Sequence, residues 1–202
     1  MKRSVLIVAE GEHELMTGES DAALPRLVQR LVGSDVELQS TSRRIKEFAR
    51  HVHPGRGNRL GRKFISIIRQ AEREGFDSVV VLIDQDSDKT RHKSADFAQN
   101  TTITSIPRAI GIAVRTFDAW FLADHIALAK VCGATVDPQP DPETHRDPKT
   151  ACECIVDAAG SPIRLRDLYS AFSECADIEL LRERCPKGFG VFADRVDSLK
   201  LR

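Results

Sequence analysis

An α/β fold built on a mostly parallel sheet is predicted by three features of the 202-residue sequence. Two short runs, Val5-Leu6-Ile7-Val8-Ala9 and Val79-Val80-Val81-Leu82-Ile83, are wholly apolar, as strands covered on both faces must be. Each run ends in acid: Glu10-Gly11 after the first, and Asp84-Gln85-Asp86-Ser87-Asp88 after the second. Between and after them lie segments with apolar residues at helical spacing, the alternation that wraps helices around a parallel sheet.

Taken in order, Ser4 to Ala9 reads as a buried strand, and Gly11 permits a tight turn after it. Ala22 to Val32 carries Ala23, Leu24, Leu27, Val28 and Leu31 at helical spacing and fits a first crossover helix. Val36 to Gln39 is a short strand candidate. Arg43 to His51 and Phe64 to Gly75 read as helices. The segment between them, His53 to Gly61, is too rich in Pro and Gly for regular structure. Ser78 to Ile83 is the second buried strand, followed by a polar stretch from Asp84 to Gln99. Ile103 to Ile106 and Ile110 to Val114 are further strand candidates, and Phe117 to Ala129 is a helix. Three prolines between Val136 and Pro142 mark a linker or an ordered surface loop. Beyond it, Pro148 to Ala159, Ile163 to Cys175, Ile178 to Arg184 and Val191 to Leu199 read as short helices. Asp147-Pro148 supplies an N-cap and a proline at the first helical position. The expected organisation is an α/β domain over residues 1–135 with a helical extension, 136–202, packed on it.

Composition bounds the function without naming it. The apolar fraction is 41% and the charged fraction 30%, with a formal net charge of zero, so only local charge can argue for an anionic partner. Five cysteines with no Cys-x-x-Cys pair read as reduced core residues. The first apolar run is too short and too soon acidic for a signal peptide, and no run is long enough to span a bilayer. A cytoplasmic protein with no membrane partner is the expectation.

The acids after the two strands form the first constellation with chemical meaning. Ligands of open α/β sheets bind at the carboxyl ends of the strands. Carboxylates gathered there repel one another unless a cation intervenes, and hard divalent ions favour such oxygen donors. Asp84, Asp86 and Asp88 alternate, so a continuing strand would send all three to one side. If the chain turns after Asp84, Asp84 and Asp86 can still share an ion, and Glu10 joins them if the two strands are neighbours. Solvated turn residues or helix N-caps are the simpler reading of the same acids. The second constellation is basic. From Arg43 to Arg73 there are ten Lys or Arg residues against two acids, Glu47 and Glu72. Its glycine-rich middle carries Arg56, Arg59, Arg62 and Lys63, which suits contact with a phosphate backbone. A solvated helix face is the alternative. Phe48 and Phe64 are the only aromatics there, so stacking on single-stranded bases is not favoured. No Gly-x-x-x-x-Gly-Lys-Ser/Thr loop and no Gly-x-Ser-x-Gly elbow is present.

The paired motifs, Glu10-Gly11 and Asp84-x-Asp86, resemble the signatures of TOPRIM domains, found in topoisomerases, DnaG-type primases, recombination proteins and OLD-family nucleases. Glu10-Gly11-Glu12-His13-Glu14 is most similar to the OLD-like and small stand-alone bacterial forms. Asp118-Ala119-Trp120-Phe121-Leu122-Ala123-Asp124 resembles a Glu-Ala-Trp-Leu-Leu-Ala-Asp stretch of those small proteins, and so does the Asp147-Pro148-Lys149 helix start. His13 departs from the usual hydroxyl residue and Asp118 from the usual Glu. The resemblance implies a TOPRIM-like sheet, and Mg²⁺ or Mn²⁺ held by Asp84 and Asp86 with help from Asp88. It implies Glu10 as acid/base or metal partner, with Glu14 and Asp118 as additional candidates. The implied activity is metal-dependent phosphodiester cleavage on DNA or RNA, beside an ATPase partner in phage defence. A fold-retaining binding subunit without catalysis, and a small-molecule phosphatase, are the alternatives.

Overall fold

The structure is a computed structural model, and it describes residues 2–11, 15, 22–48, 57–160 and 163–199. Four parallel strands form one sheet in the order β2-β1-β3-β4: β1 (Lys2–Ala9), β2 (Glu37–Arg44), β3 (Ser78–Asp84) and β4 (Arg108–Ala113). The two apolar runs are its central pair. Residues 5–9 of β1 and 79–81 of β3 have no exposure at all.

The side chains of the central strands alternate between two separate cores, as period-two geometry requires. Val5, Ile7 and Ala9 of β1, with Val80 and Leu82 of β3 and Ala109 and Ala113 of β4, face one side. Leu6 and Val8, with Val79, Val81 and Ile83 and with Ile110 and Ile112, face the other. The second face is aliphatic and is covered by α2 (Arg59–Glu74) and α3 (Arg91–Gln99). The first is covered by α1 (Ala23–Val32) and by helices from the C-terminal third of the chain: α4 (His125–Cys132), α5 (Pro148–Ala158), α6 (Leu165–Cys175), α7 (Ile178–Arg184) and α8 (Val191–Asp197). The expected extension therefore completes one face of the sheet, in the same hydrophobic cluster as β1 and α1.

This first face is aromatic. Trp120 packs edge-on to Phe117 and Phe189, with ring centroids 5.0 Å apart in each pair, and stacks on Phe192 at 5.6 Å. Phe192 of α8 lies over Gly111 of β4: a Cβ built on Gly111 would sit 2.5 Å from Phe192 Cδ2. A side chain at 111 would thus hold the last helix off the sheet.

Several elements differ from the sequence expectation, each for a visible reason. β2 runs to Arg44, so Arg43 and Arg44 are strand rather than helix, and a 3₁₀ turn, Ile45–Phe48, follows, the rest of the expected helix to His51 lying outside the described residues. As an edge strand paired on one side, β2 tolerates a polar sequence that hides its length. α2 starts at Arg59, inside the glycine-rich segment. Asn58 caps it, its side-chain oxygen accepting the Gly61 N–H at 2.8 Å. Gly57, at φ +100°, precedes it where a Cβ would lie 2.8 Å from Phe97 Cε1 of α3. The glycines thus bring α2 close to α3. The polar stretch after β3 contains α3, and Ile103 to Ile106 forms no strand. Phe117–Ala123 is a 3₁₀ helix that ends at Asp124, which accepts the Ala127 N–H at 2.9 Å as N-cap of α4. A short 3₁₀ turn, Pro142–Thr144, lies at the end of the proline-rich loop. All five cysteines are free; Cys152 is buried and Cys154 exposed, on opposite sides of α5.

Candidate functional site

β1 and β3 are neighbours with Ala9 opposite Leu82, so Glu10 and Asp84 leave the sheet at the same carboxyl edge. The chain turns immediately after β3. Gln85 N–H donates to the Ala113 carbonyl and Asp86 N–H to the Arg115 carbonyl, each at 2.8 Å. Asp86 and Arg115 both hold positive φ, +50° and +63°, a region that Asp tolerates and Arg seldom enters. The turn separates the three aspartates. One Asp84 carboxylate oxygen accepts the Phe117 N–H at 2.7 Å. One Asp88 oxygen accepts the Thr90 N–H at 2.8 Å and its hydroxyl at 2.6 Å. These bonds hold the Asp88 carboxyl below its ordinary pKa.

Arg91, the first residue of α3, gathers what the turn leaves. Its Nη1 stands 3.0 Å from Glu10 Oε2, 3.0 Å from Asp86 Oδ2 and 2.5 Å from the Asp84 carbonyl oxygen. That nitrogen carries only two protons. Glu10 and the Asp84 carbonyl take them as hydrogen bonds, and Asp86 is held by charge. Three oxygens from two strands' ends therefore surround one cationic atom. The Glu10 and Asp86 oxygens lie no farther apart than twice 3.0 Å.

The arginine also lines a cleft of about 310 Å³, together with Glu10, Ile45, Arg59, Leu60, Lys63, Ile83 and Asp88. Arg59 and Lys63 project from successive turns at the start of α2, four residues apart and so on one face. Burial pushes the Lys63 ammonium below its usual pKa, Glu10 opposes that shift, and Arg59 adds to it. Asn58 ties the starts of the two helices together, its Nδ2 donating to Ser94 Oγ of α3 at 2.7 Å. The cleft thus combines three cations with Glu10 and Asp88, at an edge toward which the first turns of α2 and α3 point.

The predicted residues divide accordingly. Glu10, Asp88, Arg59 and Lys63 line the cleft, and Asp84 and Asp86 are joined to it through Arg91. Arg62 is not among the lining residues, and its Nε is buried with no hydrogen-bond partner among the described residues. Glu14 and Arg56 lie outside the described residues. Asp118 is placed elsewhere. Although β4 does neighbour β3, Asp118 is 9% exposed, and its Oδ1 accepts the Tyr169 hydroxyl of α6. Arg91 was not singled out from the sequence, since it lies in a polar stretch without a motif.

The oxygen donors fit a hard cation in kind, and they already surround a positive charge. Their number around that point is two carboxylates and one carbonyl. Among the described residues no group of three or more His, Cys, Asp or Glu side chains could hold a metal ion; one oxygen of Asp84 and one of Asp88 accept backbone N–H groups. No family model, no curated protein and no solved structure matches the chain. Among the described residues no helix is long and apolar enough to cross a membrane.

Proposed function

We propose that the shared edge of β1 and β3 is a divalent-metal-dependent phosphodiester-cleaving centre of TOPRIM type, acting on DNA or RNA. The observation that carries this reading is the convergence of Glu10, Asp86 and the Asp84 carbonyl on one cationic atom beside Arg59 and Lys63. Asp84 and Asp86 would hold Mg²⁺ or Mn²⁺, with Asp88 assisting. Such an ion polarises a phosphoryl oxygen and lowers the pKa of an attached water. Arg59 and Lys63, which line the cleft, would orient the backbone phosphate by charge. Glu10, which lines the cleft, would take the proton of the attacking water or complete a second metal site.

The Asp84 carboxylate has a second duty, since its bond to the Phe117 N–H fixes the turn after β4. Asp84→Asn keeps an acceptor for that bond and removes the charge. Plasmid, single-stranded DNA and RNA, each with Mg²⁺ or Mn²⁺, form the test. Nicking that falls about 100-fold or more in Glu10→Ala and in Asp84→Asn supports the reading. A folded wild-type protein that cleaves none of them with either ion overturns it.

One observation favours the binding subunit as a second reading: Arg91 itself pairs with Glu10 and Asp86. Retention of nucleic acid with no cleavage would support it, and release of phosphate from small esters alone would support the phosphatase. An ATPase partner and a role in phage defence rest on the resemblance alone. Co-purification of the tagged chain with an ATPase from its host is the corresponding test.

A further inference from the structure

The cleft beside Arg91 offers three kinds of surface that the chain does not use up. The first is cationic. Arg91 is paired with Glu10 and Asp86, but among the described residues Arg59 and Lys63 have neither an ion pair nor a side-chain hydrogen bond. Lys63 is half-buried, and burial pushes its ammonium below the usual pKa although Glu10 opposes the shift. A desolvated ammonium without a counter-ion carries a free-energy cost that a bound anion offsets. The second surface accepts hydrogen bonds. Glu10 meets Arg91 through Oε2, and Asp88 receives both Thr90 bonds on Oδ1, so Glu10 Oε1 and Asp88 Oδ2 remain as acceptors. The third is apolar: Ile45, Leu60 and Ile83 line the same space.

Each surface narrows the ligand. A bare phosphate leaves the acceptors and the apolar wall idle. An apolar ligand leaves Lys63 unpaired. The two acids repel a second phosphate group. The volume, about 310 Å³, lies at the lower end of small-molecule pockets, roughly 300–1,000 Å³, and cannot enclose a duplex. We propose that this cleft binds a single nucleoside monophosphate. Arg59 and Lys63 hold the phosphate, Glu10 or Asp88 accepts a sugar hydroxyl, and the base lies against Ile45 and Leu60. The site shares with the proposed function only the reading that Arg59 and Lys63 face a phosphate, and no metal ion takes part in it. A free nucleotide and the phosphorylated end of a strand present the same chemistry to it.

Calorimetric titration of the whole chain in excess EDTA tests this. Adenosine or uridine 5′-monophosphate should bind, with ribose 5-phosphate and the unphosphorylated nucleoside each about tenfold weaker. In Arg59→Ala and in Lys63→Ala the nucleotide should weaken about tenfold, the effect of one charge-assisted contact, while the nucleoside changes by about twofold or less. Lys63→Arg keeps the charge and should stay within about threefold of wild type, which separates a lost contact from a lost fold. A 5′-phosphorylated oligoribonucleotide that displaces the nucleotide, where its 5′-hydroxyl counterpart does not, supports the site and assigns it to a strand end. Nucleotide binding that neither oligonucleotide displaces supports it as a site for the free nucleotide. Ribose 5-phosphate binding as tightly as the nucleotide overturns the nucleoside assignment, and nucleotide binding unchanged in both alanine variants overturns the placement of the phosphate. A wild-type protein, folded by circular dichroism, that binds neither nucleotide overturns the proposal, even where it nicks plasmid with Mg²⁺ and the cleavage reading stands. Nucleotide binding without any cleavage supports this site and overturns that reading alone.

Discussion

Tyr169→Phe removes a single oxygen atom, and the structure states what that atom holds. The hydroxyl donates to Asp118 Oδ1 and also meets the Cys152 thiol, and Asp118 is 9% exposed, so water cannot readily take over. The ring itself stays useful: it stacks on Phe121 with centroids 3.9 Å apart and planes 17° apart, a contact that Phe preserves. Burial, then the neighbouring Cys152 and Asp118, push the phenol pKa upward, so Tyr169 remains a neutral donor throughout the working pH range. A hydrogen bond to a charged group is worth about 1.5–3 kcal/mol. The loss should therefore be about 2 kcal/mol, or roughly 4–8 °C in melting temperature for a chain of this length. Urea denaturation of the wild type, Tyr169→Phe, Asp118→Asn and the double variant gives the coupling between the two residues. The double variant should be less damaged than the sum of the singles. A Tyr169→Phe protein within about 0.5 kcal/mol of wild type would refute the account of how α6 is fastened to the 3₁₀ segment that follows β4.

Two further outcomes follow from the packing and from the charges. Gly111→Ala should lower stability by about 1–3 kcal/mol, because its Cβ would meet Phe192 at 2.5 Å and Leu82 at 3.0 Å; Phe192→Leu combined with it should restore part of the loss, read by denaturant midpoint. Asp77 accepts the Ser4 N–H at 2.7 Å and the Ser4 hydroxyl at 2.9 Å, which pulls its pKa below the usual value. A carboxylate so depressed contributes stability above its unfolded pKa of about 3.9, and that contribution disappears as pH falls through the lower folded value. Midpoints measured from about pH 6 down to about pH 2.5 should therefore fall less steeply in Asp77→Asn than in wild type; parallel curves would contradict this.

The central strands were legible because both of their faces are buried: Val5 to Ala9 and Val79 to Ile83 leave no room for a polar residue. The acids at their ends were legible for the same reason, since polarity resumes where the sheet stops. Of the edge strand the beginning was legible, in Val36 to Gln39, and the length was not, because β2 pairs on one side only and spends its side chains on solvent. The start of α2 was hidden by glycines that serve its approach to α3 rather than a loop. Arg91 was invisible for a different reason. Its partners Glu10, Asp84 and Asp86 become its neighbours only through the β1–β3 pairing and the turn at Asp86, and no local pattern encodes that meeting. Asp118 shows the converse: its strand does neighbour β3, but the competing hydroxyl comes from α6, fifty-one residues later.

The chain has one tryptophan, and the sheet stands between it and the cleft. Trp120 is enclosed by Phe117, Phe189 and Phe192 on the aromatic face, whereas Ile45 and Ile83 of the cleft belong to the aliphatic one. Its fluorescence is therefore a gauge of how the last helices sit on the sheet. Phe117 joins the two sides, its ring edge-on to Trp120 and its N–H held by the Asp84 carboxylate, so a change at that carboxylate has one ring to cross before it reaches the indole.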